Sequence, residues 1–305
     1  MLVDIAVIIP TCDRPVFLEK ALVSVGMQNV QPKEIIVVDA SAGTDTEKLC
    51  GNSIPGLDSQ IRLVKANEKG AAVQRNQGIA ITNMPFIAFM DDDVYLEPFC
   101  IDKLFNCLLA DDKTGGVNAL ISNQQFHQPG KLSRMIYGLF TSKEILNNLE
   151  GKIIGPVINF LCSENNRLAI IPVQWLNLGL TIYRRAAFPS PVFDPYFIGY
   201  SFMEDVTLSL RVGKKWNLYT LRDARIFHDS QPGDHKKNAY KLGIMQTRNR
   251  FYIMTNVLQK KGFRAKAGFY FYALFQIFAM IGYPMPAGNK LSTIRGMIAG
   301  LFKLD

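Results

Sequence analysis

Short apolar runs alternate with segments of helical period through the first part of the chain, the order expected of strands and helices in an α/β domain. Val3 to Ile9 reads as a strand ending in the turn Pro10-Thr11-Cys12-Asp13-Arg14-Pro15. Phe17, Leu18, Ala21, Leu22 and Val25 then recur at helical spacing, completing a βα unit near Gln28. Glu34 to Asp39 is a second strand, apolar until the acid at its carboxyl end, and leads into a polar loop through Ser41 and Asp45. A weaker strand at Ile61 to Val64 precedes a small-residue helix from Lys69 to Ala80, whose apolar face is interrupted by Arg75 and Asn76. The next run, Phe86 to Met90, is rich in β-formers and stops at three consecutive acids, Asp91, Asp92 and Asp93, with a helix expected to begin at Leu96-Glu97-Pro98. Gly115 to Ile121 is a further strand. Beyond it the pattern loses definition until Trp175 to Phe188, and no motif stands out around His127, Lys131 to Phe140 or Lys152 to Phe160.

Composition narrows the class only partly. With 305 residues, 48% hydrophobic and 20% charged, the chain can bury a sizeable core in one large domain or about two ordinary ones. A net charge of +8 and a pI near 9.2 suit an anionic substrate, an anionic membrane surface or nucleic acid, and the sign alone does not choose. Cys12, Cys50, Cys100, Cys107 and Cys162 are odd in number and form no CxxC pair, which argues against a disulfide framework or a zinc site and fits a reducing cytosol. The chain enters its first strand without a basic region before it or a small-residue cleavage site after it, so no secretory leader is expected.

The acidic triplet changes the picture most. Ligands of open α/β sheets bind outside the carboxyl ends of the strands, where these acids fall. Adjacent carboxylates repel one another unless positive charge sits among them, and hard oxygen donors suit Mg²⁺ or Mn²⁺ with a phosphate in the coordination shell. The competing reading is an acidic turn complementing the dipole of the helix that follows. Asp13, Asp39 and Arg75 are equally two-sided, as a cap, a strand end and a solvated arginine.

Taken in order, Pro10-Thr11-Cys12-Asp13, Val37-Val38-Asp39-Ala40-Ser41, Arg75-Asn76-Gln77-Gly78 and Asp91-Asp92-Asp93 resemble the amino-terminal half of a family 2 glycosyltransferase with the GT-A fold. The resemblance implies that Pro10, Thr11, Asp13 and Asp39 hold the nucleotide base and that Arg75 and Asn76 lie near base and phosphates. It also implies that Asp91 faces the ribose and that Asp93 binds a divalent cation, Mn²⁺ or Mg²⁺. Asp92 is assigned to the nucleotide without a definite role, and Asp91 is a further candidate metal ligand. Ala40 stands where many relatives carry a second acid, which weakens any inference about the base.

In the second half, Trp175 to Phe188 is an apolar run with a glycine and a closing Arg184-Arg185 pair, readable as a core strand. The resemblance places it against the donor and acceptor pocket, with Trp175 and Gly179 as candidates. Phe193 to Gly213 contains Glu204-Asp205 in the first turn of a helix, where carboxylates are favoured anyway. The same Glu-Asp pattern after a glycine-aromatic loop is similar to the second diagnostic motif of inverting members, which makes Asp205 the general base and Glu204 its support. His228, ending a short strand Arg225 to His228, is a candidate metal or phosphate ligand; His127 and His235 read as structural and loop residues.

After Asn238 the composition turns to long helical patterns with aromatic and basic residues. Tyr240 to Lys261 is an amphipathic candidate, and Ala267 to Met285 approaches the roughly 20 residues of a spanning helix. Interruption by Gly282 and Pro284 and basic flanks favour an interfacial or core helix, with peripheral attachment to an anionic membrane. The Gln-x-x-Arg-Trp motif of processive relatives is not matched by Gln246 to Phe251.

The expected architecture is thus an α/β GT-A domain over residues 1–230, with a nucleotide-sugar half (1–114) and an acceptor half (115–230), followed by a helical region (231–305). The expected activity is inverting, metal-dependent, non-processive transfer of a sugar from a UDP- or dTDP-sugar to a glycan or lipid-linked hydroxyl, in the cytoplasm or on the inner face of the membrane. A sugar-phosphate nucleotidyltransferase needs a glycine-rich phosphate loop after the first strand, which Pro10 to Pro15 is not. A nucleic-acid-binding module is opposed by the acidic triplet.

Overall fold

The computed structural model describes residues 1–124, 126–230, 238–282 and 286–304. The chain divides into two compact units, one of residues 1–127 and 160–230, the other of 128–159 and 231–305. Residues 128–159 therefore group with the carboxyl-terminal helices, whereas the sequence pattern had placed them in the acceptor half.

The first unit is built on a nine-stranded mixed sheet. Its strands are β1 (Leu2–Thr11), β2 (Gln31–Asp39), β3 (Gln60–Lys65), β4 (Phe86–Met90), β5 (Val94–Leu96), β6 (Thr114–Ile121), β7 (Ile170–Pro172), β8 (Leu180–Arg184) and β9 (Asn217–His228). The spatial order is β3-β2-β1-β4-β8-β6-β9-β5, with β7 also paired to β9. The four strands from β3 to β4 are parallel, so Thr11, Asp39 and Lys65 reach the same edge in register, Thr11 opposite Asp39 and Asp39 opposite Lys65. β8 runs antiparallel between β4 and β6.

Helices α1 (Pro15–Gly26) and α4 (Cys100–Leu109) cover one face, burying Leu18, Leu22, Val25, Leu104 and Leu108 against Val7, Ile35 and Ala88. α2 (Asp45–Gly51) is short, and α3 (Ala71–Ala80) lies close to β1 because Gly78 leaves room: a Cβ there would stand 2.6 Å from Ile8 Cγ2. The acidic triplet does not lead directly into a helix at Leu96. Val94–Leu96 pairs with the end of β9, and α4 starts only at Cys100, after Phe99 takes a left-handed backbone (φ 63°). Two short helices, α5 (Lys131–Tyr137) and α6 (Lys143–Asn147), precede the next long one, α7 (Glu204–Val212). An aromatic cluster packs Phe89 against Phe193 (5.0 Å) and Tyr183 (6.0 Å), fixing the chain that leads into α7.

In the second unit, helices Ala239–Tyr252 and Ala287–Leu301 approach through Gly243, Gly296 and Gly300; a Cβ on Gly243 would lie 2.5 Å from the Thr293 carbonyl. The first of them ends in a π turn, Ile253–Val257, short of Lys261. Phe263–Gly282 buries only Phe269, Tyr272 and Ala273.

Candidate active site

Polar side chains gather where the carboxyl ends of β1, β2 and β4 meet the start of α7. Burying Asp92 and Asp93 beside the half-buried Asp91 requires compensating charge, and two arginines supply it. Arg14 reaches Asp92 Oδ1 (3.2 Å) and Asp93 Oδ2 (3.3 Å), while Thr11 Oγ1 donates to Asp92 Oδ2 at 2.7 Å. Arg75, only 3% exposed, lies between Asp91 (2.7 Å) and Glu204 (2.8 Å). Its Nε is buried with no hydrogen-bond partner among the described residues.

The third acid faces an imidazole. His228 Nε2 lies 3.2 Å from Asp93 Oδ1, and its Nδ1 is 3.0 Å from the side-chain nitrogen of Gln124. Asp91, Asp93 and His228 each bring one ligand atom to within 4.8 Å of the others. Two carboxylates and one imidazole form a donor set that fits Mn²⁺ or Mg²⁺, and Gln124 stands where an outer-shell residue orients a ligating histidine.

Asp205 occupies the first turn of α7, its Oδ1 accepting the Val206 N–H at 2.7 Å. Burial raises the pKa of Glu204 and of Asp205 above the ordinary carboxyl range; Arg75 opposes the shift at Glu204, and the Val206 amide, then Arg75, oppose it at Asp205. Burial likewise pushes Asp92 up to about 6 against the pull of Thr11 and Arg14.

A second group of contacts knits the loops after β1 and β2. Asp39 Oδ1 accepts the Ser41 N–H (2.9 Å) and the Ser41 hydroxyl, and Ser41 Oγ accepts the Asp13 N–H at 2.7 Å. Lys65 Nζ lies 3.8 Å from Asp39 Oδ2. Pro10, one residue before Thr11 in β1, stands opposite Val38 of β2.

Not every residue singled out by the sequence pattern is engaged in this way. Asn76 exchanges two hydrogen bonds with the Phe193 backbone (2.9 and 3.0 Å), so its amide holds the loop before α7. Trp175 is 8% exposed and its indole N–H donates to the Phe160 carbonyl, a core role. Gly179 makes a close approach on the core side: a Cβ would meet Ile226 Cδ1 at 2.8 Å, and its carbonyl accepts the Asp91 N–H. His235 lies outside the described residues. Arg14 and Gln124 had no assigned role. The need for positive charge beside three acids points, in the sequence, to a metal ion; the structure adds Arg14, from the loop after β1, against Asp92 and Asp93.

A mixed sheet with acids at the end of β4, and a second acidic pair opening a later helix beside it, is the arrangement of a glycosyltransferase of the GT-A class. The profile described as glycosyl transferase family 2 matches residues 6–166, more than half of the chain, and the chain belongs to that family of glycosyltransferases. It is 24% identical over 243 residues to a GalNAc(5)-diNAcBac-PP-undecaprenol beta-1,3-glucosyltransferase of Campylobacter jejuni, covering 78% of this chain and 70% of that one. Two solved structures share the fold. The Pyrobaculum calidifontis mannosyltransferase in complex with GDP-Man and Mn²⁺ aligns at TM-score 0.59 and 12% identity, covering 99% of this chain and 88% of that one. S. aureus TarS with UDP-GlcNAc aligns at TM-score 0.53 and 15% identity, covering 83% and 66%.

Proposed function

We propose that the protein is an inverting, divalent-metal-dependent glycosyltransferase that moves one sugar from a nucleoside-diphosphate donor to a hydroxyl of a lipid-linked or cell-surface glycan. The observation that carries this reading is the Arg75 bridge. A single buried guanidinium joins Asp91, at the end of β4, to Glu204, at the start of α7, so the donor-side acids and the second acidic motif share one place although they are far apart in sequence.

Asp93, His228 and Asp91 would hold the cation, which when bound supplies positive charge against the departing diphosphate. Asp205 takes the proton of the acceptor hydroxyl as its oxygen bonds to the anomeric carbon and the bond to the nucleoside diphosphate breaks. Its approach from a segment separate from the metal triplet supports a single displacement with inversion. Asp39, Asp13 and Thr11 line the edge where a nucleoside would lie. The Campylobacter relative is named for an undecaprenol-linked acceptor, and GDP-Man and UDP-GlcNAc occupy the solved relatives; both support a nucleotide-sugar donor and a membrane-bound acceptor here.

The test is thermal denaturation with UDP, dTDP and GDP, each with Mn²⁺ and with EDTA. A ligand that binds only the folded state raises the melting temperature. UDP or dTDP is expected to stabilise the protein in Mn²⁺, EDTA to abolish the shift, and Asp93→Asn to lose the metal-dependent part while remaining folded. No stabilisation by any of the three in Mn²⁺ would remove the donor site.

A further inference from the structure

Arg14 is held by its neighbours on both sides in the chain. Asp13 takes a left-handed backbone (φ 56°), which a non-glycine residue keeps only where contacts impose it, and those contacts come from the loop after β2. Ser41 Oγ accepts the Asp13 N–H at 2.7 Å, and the Ala42 N–H reaches Asp13 Oδ1 at 3.4 Å. Pro15 follows at the first position of α1, its φ fixed by its ring. The turn that carries Arg14 is thus set on either side, with the guanidinium against the acids at the end of β4.

The guanidinium is used asymmetrically. Nη1 alone meets both carboxylates, Asp92 Oδ1 at 3.2 Å and Asp93 Oδ2 at 3.3 Å. Nε and Nη2 make no hydrogen bond among the described residues, yet neither is sealed from solvent as Arg75 Nε is, and the side chain is 25% exposed. That edge of the plane is a two-donor fork open to solvent, a geometry matched to phosphate oxygens. Asp93 is divided as well. Its Oδ2 faces Arg14, while its Oδ1 faces His228, on the side of the candidate cation ligands. Arg14 and a cation held by Asp91, Asp93 and His228 would therefore share one carboxylate.

We infer that Arg14 makes cation binding conditional on the nucleotide: its charge balances Asp92 and Asp93 and repels a cation arriving alone, and its Nε–Nη2 fork takes phosphate oxygens when cation and nucleoside diphosphate arrive together. This rests on the assignment of the acids to the donor and cation site. Positive charges that share a carboxylate repel each other, so the guanidinium weakens the hold on a bare cation. A diphosphate brings negative charge that guanidinium and cation can both meet, which offsets that repulsion. By linkage, nucleotide and cation then raise each other's affinity by the same factor.

The experiment titrates the whole chain with Mn²⁺, with and without UDP, and reads free Mn²⁺ by its electron paramagnetic resonance signal. In the wild type, UDP should tighten Mn²⁺ binding at least about tenfold. Arg14→Gln should bind Mn²⁺ alone at least about tenfold more tightly than the wild type, and its gain on adding UDP should shrink to about threefold or less. Arg14→Lys keeps the charge and should keep the weak binding of Mn²⁺ alone. A merely structural role moves the readout the other way: an Asp93 left without its partner would hold Mn²⁺ more weakly in Arg14→Gln. Taking the counter-charge from two buried carboxylates should also lower the melting temperature of Arg14→Gln. Mn²⁺ without UDP should restore it, so the variant can be read even where it is unstable alone. The inference is overturned if UDP leaves Mn²⁺ binding to the wild type unchanged, if Arg14→Gln binds Mn²⁺ alone no more tightly than the wild type, if Mn²⁺ fails to restore its melting temperature, or if Arg14→Lys behaves as Arg14→Gln does. A wild type that binds neither Mn²⁺ nor UDP would instead overturn the donor assignment.

Discussion

Asp205 carries two constraints at once: a hydrogen bond from its own helix at Oδ1 and a buried position that disfavours its charge. A neutral amide of the same shape cannot accept a proton, so Asp205→Asn is expected to keep folding and UDP binding while sugar transfer falls by at least about 10²-fold. Glu204→Gln should be milder, because the amide oxygen can still accept from Arg75 although the charge is lost. A base works deprotonated, and burial raises the Asp205 pKa, so the transfer rate should fall as pH drops through that raised value. The acid limb of the pH–rate profile then lies above the ordinary aspartate pKa of about 3.9, and Asp205→Asn flattens it. Near wild-type transfer by Asp205→Asn, or a product with the donor's anomeric configuration, would reassign the base. At this scale the sequence was readable where a charge interrupts a regular pattern, as at Asp91, Asp93 and Glu204-Asp205. It was unreadable where a partner is set by tertiary approach: Arg14 meets Asp92 and Asp93 across more than seventy residues, and nothing in the local pattern separates Asn76, bonded to Phe193, from Arg75, bonded to Asp91 and Glu204.

Among the elements, α3 shows how a motif residue can serve packing. Gly78 closes the Arg75-Asn76-Gln77-Gly78 motif, yet what it provides is the close approach of α3 to β1. Gly78→Ala gains up to about 1 kcal/mol of helix propensity. Against this, the new methyl would stand 2.6 Å from the fully buried Ile8, and overpacking a dense core costs about 1–3 kcal/mol. The net outcome expected is destabilisation, seen as a lower urea midpoint, with the affinity of the folded protein for UDP little changed. A variant as stable as the wild type would mean that α3 can slide. β1, β2 and β4 follow directly from their apolar runs because their central residues are buried on both faces, whereas β3, at the sheet edge and only half-buried, shows a weaker run. The antiparallel insertion of β8 is set by pairing between segments distant in sequence, and the three-residue β5 is too short to show a period, so both escaped the pattern.

At the scale of the whole molecule, the feature that the catalytic unit does not explain is the helix Phe263–Gly282. It is long and apolar enough to cross a bilayer, with a mean hydropathy of 1.2, but only 17% of that window is buried in the protein. Its exposed Phe271, Leu274, Phe278 and Ile281 recur at helical spacing as one apolar stripe. Lys260, Lys261, Arg264 and Lys266 are exposed at its amino-terminal end, where positive charge opposes the helix dipole. That placement is unfavourable in water and favourable against an anionic surface, which supports a helix lying in the membrane interface, with the stripe in the acyl boundary and the basic cluster among the headgroups. The protein should therefore co-sediment with phosphatidylglycerol-containing vesicles at low salt, less so at high salt because exposed charges are screened, and little with neutral vesicles. Each basic residue near such a surface contributes on the order of 1 kcal/mol. Reversing all four to glutamate should abolish vesicle binding while leaving the UDP-dependent thermal shift intact, since that shift belongs to the other compact unit. Binding that survives both high salt and charge reversal would point to insertion of Phe263–Gly282 across the bilayer, and absence of vesicle binding at any salt would leave the apolar stripe to a protein partner.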